Sequence, residues 1–101
     1  MHTSDVFKAM AHPVRRDILR RLRAGELSAG ALSRHYDMSK PSLSGHLKVL
    51  REAELVFVRR DGTTLYYALN TSVAEELMAM MMDLLGRGEG KADDTPDTNE
   101  L

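Results

Sequence analysis

The sequence predicts a mainly helical α+β fold with five helices and one β-hairpin. Apolar residues recur at helical spacing in several segments, and two runs rich in β-branched and aromatic residues flank an Asp-Gly pair at residues 61–62. The chain has 101 residues, 43% of them hydrophobic, which is enough for one small domain with a modest core. We therefore expect a single folded unit over residues 1–86.

The first two helices are predicted on either side of a proline. The first spans residues 4–11, with Ser4 or Asp5 as its N-cap. It ends before Pro13, because the residue preceding a proline is forced out of the helical region. The second helix begins at Pro13 and ends at Gly25, which is placed to form a left-handed C-cap.

The next two helices form a closely spaced pair. One is predicted over residues 28–37 with Ser28 as its N-cap, and the other over residues 39–54 with Ser39 as its N-cap. The second is apolar on one side only, because its leucines fall at i, i+4 and i+7. These are Leu43, Leu47 and Leu50. Two short helices joined by a tight turn, the second with a more polar outer face, are typical of the helix-turn-helix.

The outer face of that second helix has short polar groups near its start and cations further on. Hydroxyls and cations near a helix N-terminus suit phosphate oxygens and the edges of DNA bases. For such a helix taken alone, the alternative is a solvated face that binds no ligand. The neighbouring segments favour a DNA-binding face over a merely solvated one. The residues of this face are Lys40, Ser42, Ser44, Gly45, Lys48 and Arg51.

A β-hairpin is predicted directly after the helix pair. Its strands are residues 55–60 and 63–69, and the Asp-Gly pair between them is typical of a type I′ turn, in which both central residues have positive φ. Arg59 and Arg60 flank the turn, where the hairpin would act as a wing that reaches a phosphate backbone or the minor groove. The same cations would also keep an exposed hairpin from pairing edge to edge. Both roles are compatible.

The last predicted helix, residues 71–86, is apolar on more than one side, which a monomer of this size cannot bury entirely. A symmetric dimer is the interpretation we favour. The alternatives are a helix that only covers its own core, and a methionine-rich groove for a partner helix or a small molecule. The apolar residues are Val73, Ala74, Leu77, Met78, Met80, Met81, Met82, Leu84 and Leu85.

Three segments together resemble the winged helix-turn-helix repressors of the ArsR type, and especially their cysteine-free, SdpR-like autorepressor branch. They are HPVRRDIL at residues 12–19, SKPSLSGHLKVLREAELV at residues 39–56 and RRDGTTLYYAL at residues 59–69. Their combined order and spacing are far more specific than a lone helix-turn-helix. The resemblance covers about residues 4–86 and implies a winged helix-turn-helix fold whose fourth helix enters the major groove of DNA.

The resemblance also implies which residues contact DNA and which pair two copies into a homodimer. At or near the DNA it places Ser39, Lys40, Ser42, Ser44, His46, Arg59, Arg60 and Thr63, and the polar face of the fourth helix adds Gly45 and Lys48. The implied dimer is built on the first and last helices. Its predicted interface residues are Val6, Phe7, Met10, Leu77, Met78, Met81, Leu84 and Leu85.

Two of these positions leave alternatives open. Gly45 stands where the family usually has a larger polar residue pointing at DNA, and a glycine inside a helix costs about 1 kcal/mol relative to alanine. It either allows a close backbone approach or alters base recognition. His46 lies about 60° from the leucine stripe at 100° per residue, so a packing or hydrogen-bonding role is at least as consistent as base contact.

Metal sensing is not predicted. Many ArsR-type proteins detect metals through cysteines or through Asp, His and Glu sets on the last helix. This sequence contains no cysteine, and residues 71–86 contain no histidine. The four histidines lie in separate segments without the spacing of a helical chelate. We expect no metal and no cofactor, and either constitutive DNA binding or control by a protein anti-repressor or a small-molecule inducer.

The net charge of −1 is an average over two unlike parts. Residues 87–101 hold two basic and five acidic groups, which leaves twelve basic and ten acidic groups in residues 1–86. The acidic tail is predicted to be disordered, since it lacks aromatic and β-branched apolar residues. The folded part is mildly basic, and we expect most arginines of the second helix to lie in water or pair with Asp17 and Glu26.

Other functional classes are not expected. The sequence contains no run of about 18 apolar residues, the length that a membrane-spanning helix needs. The short, charged N-terminus does not look like a signal peptide. Together with the lack of cysteines, this favours the cytoplasm. No nucleophile–base pair, phosphate-binding glycine loop or pair of acids predicts an enzyme.

The sequence thus predicts a transcriptional repressor that binds double-stranded DNA as a homodimer. The more specific version of this prediction is an autorepressor, which represses its own gene. Its two recognition helices would lie about 34 Å apart on one face of a palindromic operator. Lys40, Lys48, Arg59 and Arg60 would neutralise phosphates, and the three serines at the start of the fourth helix would read base edges or fix its register. The alternative is a protein–protein interaction module of the same fold, controlled by sequestration on a partner.

Overall fold

Five helices and a three-stranded antiparallel sheet make up the part of the chain that the computed structural model describes, residues 2–86. The mainly helical α+β fold is confirmed. The predicted disorder of residues 87–101 lies outside the described residues. In chain order the elements are α1 Thr3–Met10, α2 Pro13–Leu22, β1 Leu27–Ser28, α3 Ala29–Ser33, α4 Lys40–Glu52, β2 Val56–Asp61, β3 Thr64–Leu69 and α5 Thr71–Leu84.

Two of the predicted N-caps are confirmed. The hydroxyl of Ser28 accepts a hydrogen bond from the Ala31 N–H at 3.0 Å, and that of Ser39 accepts one from the Ser42 N–H at 3.2 Å. At the start of α2 the ring Nδ1 of His12 accepts from the Val14 N–H at 3.1 Å, so a histidine takes the role that short polar side chains usually fill.

Other predicted boundaries are wrong. The N-cap of α1 is His2 rather than Ser4 or Asp5, and its side chain makes no capping bond. α2 ends at Leu22, and Gly25 has φ +141°, outside the left-handed helical region of a C-cap. α3 stops at Ser33, because the next three N–H groups bond to carbonyls only three residues back and so form turns.

The hairpin exists as predicted, but its turn is one residue further along the chain. Asp61 pairs with Thr64, so the two loop residues are Gly62 and Thr63 rather than Asp61 and Gly62. Gly62 has φ +65°, and neither neighbour has a positive φ. This is the arrangement of a type II′ turn, which needs positive φ only at its first central residue. The shift places Gly62, which has no Cβ, at the turn position that needs a positive φ. Asp61 stays in the extended strand.

The sheet contains a strand that was not predicted. β1 pairs with β3, so the strand order is β1-β3-β2. A strand of two residues is too short to show any alternation in the sequence. It lies directly before α3, and it therefore joins the start of the helix pair to the sheet that carries the wing.

The core lies between the helices and one face of the sheet. The three leucines of the α4 stripe are all buried there, as predicted, together with Ile18, Leu22, Leu32, Leu55 and Tyr67. Val6 of α1 is also fully buried within the protomer, so its predicted place in a dimer interface is wrong. It shares the inner face of α1 with Ala9, three residues on, while Phe7 points outward and is 44% exposed.

α5 is attached to the rest of the protomer mainly through its first turns. Of its apolar side chains only Val73 is buried, whereas Met78, Leu84 and Leu85 are 65%, 70% and 65% exposed. Within the described protomer, α5 is therefore not a helix that merely covers its own core. Over residues 2–86, no helix has both the length and the apolar character needed to cross a bilayer.

Candidate nucleic-acid interface

The N-terminal half of α4 presents the predicted polar face to solvent. The Ser39 hydroxyl caps the helix and also donates a hydrogen bond to the Ser42 hydroxyl at 3.0 Å. Ser42 therefore keeps its own hydroxyl proton to donate outward. The exposed side chains of this face are Ser39, Lys40, Ser42, Ser44 and Lys48. The opposite side of the helix is anchored in the core, so these groups are displayed on a fixed backbone.

Gly45 is exposed in the middle of this face. A Cβ placed at this position would meet no atom within 4 Å, so packing does not require a glycine there. The residue leaves a notch in the polar face, where the backbone is open to solvent. The structure is consistent with both meanings given to Gly45 from the sequence.

His46 is half-buried and engaged with its own protomer. Its ring lies against the ring of His12, with centroids 4.4 Å apart, and its Nδ1 is 3.2 Å from Nη1 of Arg15. Because a guanidinium can only donate hydrogen bonds, Nδ1 of His46 is the acceptor and carries no proton. Burial lowers the pKa of His46 below its ordinary value, and the electrostatic effect of its neighbours His12 and Arg15 acts in the same direction.

Arg15 was not singled out from the sequence, yet it connects α1 to α4. Its Nε donates to the carbonyl of Ala9 at 2.7 Å and its Nη2 to that of Lys8 at 3.1 Å. These carbonyls belong to the last turn of α1, where carbonyl groups lack an N–H partner four residues on. The Lys8 carbonyl also accepts from the Ala11 N–H at 3.2 Å. The same guanidinium reaches His46, so one side chain fixes the end of α1 against α4.

Asp17 holds the turn between α3 and α4 against α2. Its carboxylate accepts hydrogen bonds from Arg20 at 3.0 Å, from Arg21 at 2.8 Å and from the Tyr36 hydroxyl at 2.6 Å. The hydrogen bond from Tyr36 is the main cause of the lowered pKa of Asp17. Burial raises the pKa of Tyr36 to about 12. The prediction that arginines of α2 pair with Asp17 is confirmed.

Asn70 plays a similar role at the start of α5. Its Nδ2 donates to the Glu54 carbonyl at 2.9 Å, its backbone N–H to the Leu55 carbonyl at 2.9 Å, and its Oδ1 accepts from the Ser72 N–H at 3.2 Å. The side chain therefore caps α5 and binds it to the end of the α4 segment. The sequence shows only that an asparagine precedes a helix.

The two arginines of the wing have different surroundings. Arg59 forms a bidentate ion pair with Glu26, at 2.7 and 3.1 Å, and its guanidinium lies 4.4 Å from the centre of the Tyr66 ring. The guanidinium of Arg59 lowers the pKa of the Glu26 carboxyl. Arg60 is exposed and forms no salt bridge within residues 2–86, and Thr63 is exposed in the turn. Glu26 thus pairs with the wing rather than with an arginine of α2.

A second exposed region lies between α5 and the protomer body. It is an apolar groove of about 380 Å³ with the predicted dimer residues Met10, Leu77, Met78 and Met81 on its walls. Leu19, Leu55 and Leu69 also line it, together with the exposed arginines Arg20 and Arg23. In the described part of the chain, no three His, Asp or Glu side chains converge into a group that could hold a metal ion.

Comparison with known proteins identifies the class to which this architecture belongs. Residues 10–59 match a family described as a helix-turn-helix domain. The transcriptional repressor SdpR of Bacillus subtilis (strain 168) is 40% identical over 86 residues, which are 85% of this chain and 96% of that protein. The arsenical resistance operon repressor of Staphylococcus aureus is 37% identical over 75 residues, 74% of this chain and 72% of that repressor.

Solved structures agree with the sequence relatives. A possible transcriptional regulator for arsenical resistance superposes with a TM-score of 0.70 at 35% identity, covering 76% of this chain and 80% of that one. NolR from Sinorhizobium fredii gives a TM-score of 0.65 at 36% identity over 83% and 84% of the two chains. The chain therefore belongs to the ArsR family of winged helix-turn-helix DNA-binding transcriptional repressors.

Proposed function

We propose that this protein binds a palindromic operator as a homodimer and represses transcription there, with its own promoter as the first target to test. The observation that carries the proposal is α4: one side is buried through three leucines, and the other displays exposed hydroxyls and lysines. A helix of this kind fits the major groove, where hydroxyls can donate to or accept from any base. We expect no enzymatic activity.

In this proposal the contacts divide by chemistry. Lys40, Lys48 and Arg60 are exposed cations that would neutralise phosphates and supply much of the affinity. Ser42 and Ser44 would lie close enough to read base edges or to fix the helix in the groove. His46 is already occupied by His12 and Arg15, which favours an indirect role in holding α4 rather than a base contact.

The homodimer is supported by the apolar surfaces on α1 and α5. Phe7 and the distal half of α5 expose large hydrophobic side chains to solvent in the described protomer. Exposed apolar patches of this kind mark protein interfaces, and a symmetric pairing would use the same patch twice. Two recognition helices about 34 Å apart would then match one turn of B-DNA.

The decisive experiment is footprinting on the DNA upstream of the gene, combined with binding titrations over a range of salt concentrations. We expect protection of an imperfect palindrome and an affinity that falls steeply with added salt, with a log–log slope of about −0.9 for each neutralised phosphate. An affinity that is indifferent to salt would contradict the phosphate contacts. Protection of a single half-site by a monomer would contradict the dimer.

A second candidate function is a protein–protein interaction module of the same fold, controlled by a partner such as an anti-repressor or by an apolar inducer. It is supported by the groove beside α5, whose methionines adapt readily to different occupants. Both functions can coexist in a regulator acting in the cytoplasm. Two measurements distinguish the functions. A module without DNA-binding function would form no protein–DNA complex, and a regulator controlled by a partner would release its DNA when that partner is titrated into the complex.

A further inference from the structure

Arg59 and Arg60 lie next to each other in sequence but on opposite faces of the wing. Successive side chains of a strand point to opposite sides of the sheet. Val56 is buried and Val58 is packed against the core, so the face they share with Arg60 is the one turned toward the helices. Leu65, the partner of Arg60 across the hairpin, is also packed against the core. Arg60 therefore extends the side of the wing on which α4 lies.

Arg59 belongs to the outer face of the sheet, together with Phe57, which is 60% exposed. Its partner across the hairpin is Tyr66, and Tyr66 is in turn paired with Ser28 of β1. Tyr66 thus lies on the central strand, between the edge strands β1 and β2. The guanidinium of Arg59 crosses over this ring to reach Glu26, which precedes β1 directly.

The contact joins the wing to the start of the helix-turn-helix. Glu26 is two residues before Ser28, and Ser28 is the N-cap of α3. Both ends of the ion pair have defined geometry, because two guanidinium nitrogens meet the two carboxylate oxygens of Glu26 and the guanidinium also contacts an aromatic face. A strand of two residues holds the edge of the sheet only weakly by itself, so this pair supplies a second link across it.

We infer that Arg59 is a positioning residue that fixes the wing relative to the helix-turn-helix, while Arg60 makes the phosphate contact of the wing. This gives Arg59 a different role from the phosphate contact predicted from the sequence. The inference rests on the proposed DNA binding. It also makes Glu26, an acidic residue with no predicted role at the DNA, part of the link between the wing and the helix-turn-helix.

A charge swap tests the assignment at constant net charge. The variants are E26R/R59E, which rebuilds the pair in reverse, and the matched control E26R/R60E, in which position 60 lies on the other face and cannot pair with position 26. Affinity for a duplex that carries the footprinted operator, or for a random-sequence 30-bp duplex, is measured by fluorescence anisotropy over a range of salt concentrations. Thermal denaturation confirms that both variants are folded.

We expect E26R/R59E to bind at least about threefold more tightly than E26R/R60E, a difference of about 0.65 kcal/mol, and to keep the salt slope of the native protein. E26R/R60E should lose about 0.9 from that slope, the share of one phosphate. An affinity ratio below threefold, a reversed order, or a slope reduced in the Arg59 variant instead would overturn the assignment.

A measurement without DNA keeps the inference separate from the proposed function. If the native protein binds neither duplex, DNA binding has failed, and amide hydrogen exchange still tests the link. R59Q should accelerate exchange at the amides that pair β1 with β3 at least about threefold, and R60Q should leave them unchanged. Equal exchange in the two variants would show that Arg59 does not hold the sheet edge.

Discussion

Helices α4 and α5 have nearly the same length, 13 and 14 residues, and expose opposite kinds of surface. α4 buries a narrow leucine stripe and shows polar groups. Asp17 holds the turn before it, Arg15 contacts His46 in its middle, and Asn70 holds the segment after it. α5 buries Val73 alone among its side chains and shows methionines and leucines. A polar face on a fixed helix suits hydrogen bonding to a rigid, charged duplex, whereas an apolar face on a loosely attached helix suits a protein surface that completes it.

The largest expected effect comes from making the surface of α5 polar. M78E/L85E places two charges on strongly exposed apolar positions seven residues apart, which lie on one side of the helix. We expect dissociation into folded monomers and a loss of operator affinity of at least about 100-fold, or about 2.8 kcal/mol. Sedimentation velocity and anisotropy titrations measure the two effects. S72E, at an exposed position in the first turn of α5, is the control: it adds one negative charge to the same helix, half the change in M78E/L85E. Unchanged sedimentation of M78E/L85E would place the dimer contact elsewhere.

The corresponding change on α4 removes its cations. In K40A/K48A we expect DNA affinity to fall on all sequences to a similar extent, because phosphate contacts carry no sequence information. The salt slope should decrease in magnitude by about 1.8, the share of two phosphates. K8A, which removes an exposed lysine from α1, should change neither quantity beyond a small long-range effect. A loss confined to one operator variant would mean that the lysines read bases.

A substitution at Gly45 distinguishes the stability of α4 from the binding function of its polar face, because the residue is exposed and makes no packing contact. G45A should raise the free energy of unfolding by about 1 kcal/mol, since the added Cβ enters open space and alanine is the better helix former. G62A is the contrasting variant and should destabilise the fold, because Gly62 has a positive φ. Urea denaturation measures both. A more stable G45A with weakened DNA binding would show that the notch lets DNA approach the backbone.

The smallest expected effect is a pH dependence centred on His46. Its pKa in the folded protein lies below the ordinary value of 6.5. A lowered histidine pKa stabilises the fold fully above pH 6.5, and this contribution is lost as the pH falls through the folded value. We therefore expect stability to decrease from about pH 6.5 downward, above the range in which Asp17 and Glu26 titrate. H46Q should flatten this part of the profile in thermal denaturation. An identical profile in H46Q would exclude His46 as the cause.

The sequence by itself determined the features that depend on neighbours within one turn or one hairpin. The leucine stripe of α4, the caps at Ser28 and Ser39, the existence of the wing and the excess of apolar surface on α5 all follow from periodicity or from side chains a few residues apart. These local patterns were sufficient for the fold class and for the polar face, because helix and hairpin formation are governed largely by short-range geometry.

Only the tertiary structure decided which polar side chains are free to bind and which are already engaged. Arg15 meets His46 across 31 residues, and Arg59 meets Glu26 across 33. Two adjacent arginines in a basic hairpin look equivalent in a sequence, and the strand pairing separates them by placing one on each face of the sheet. Val6 was assigned to an interface and lies in the core for the same reason: burial depends on what packs against a helix, which its own periodicity does not specify.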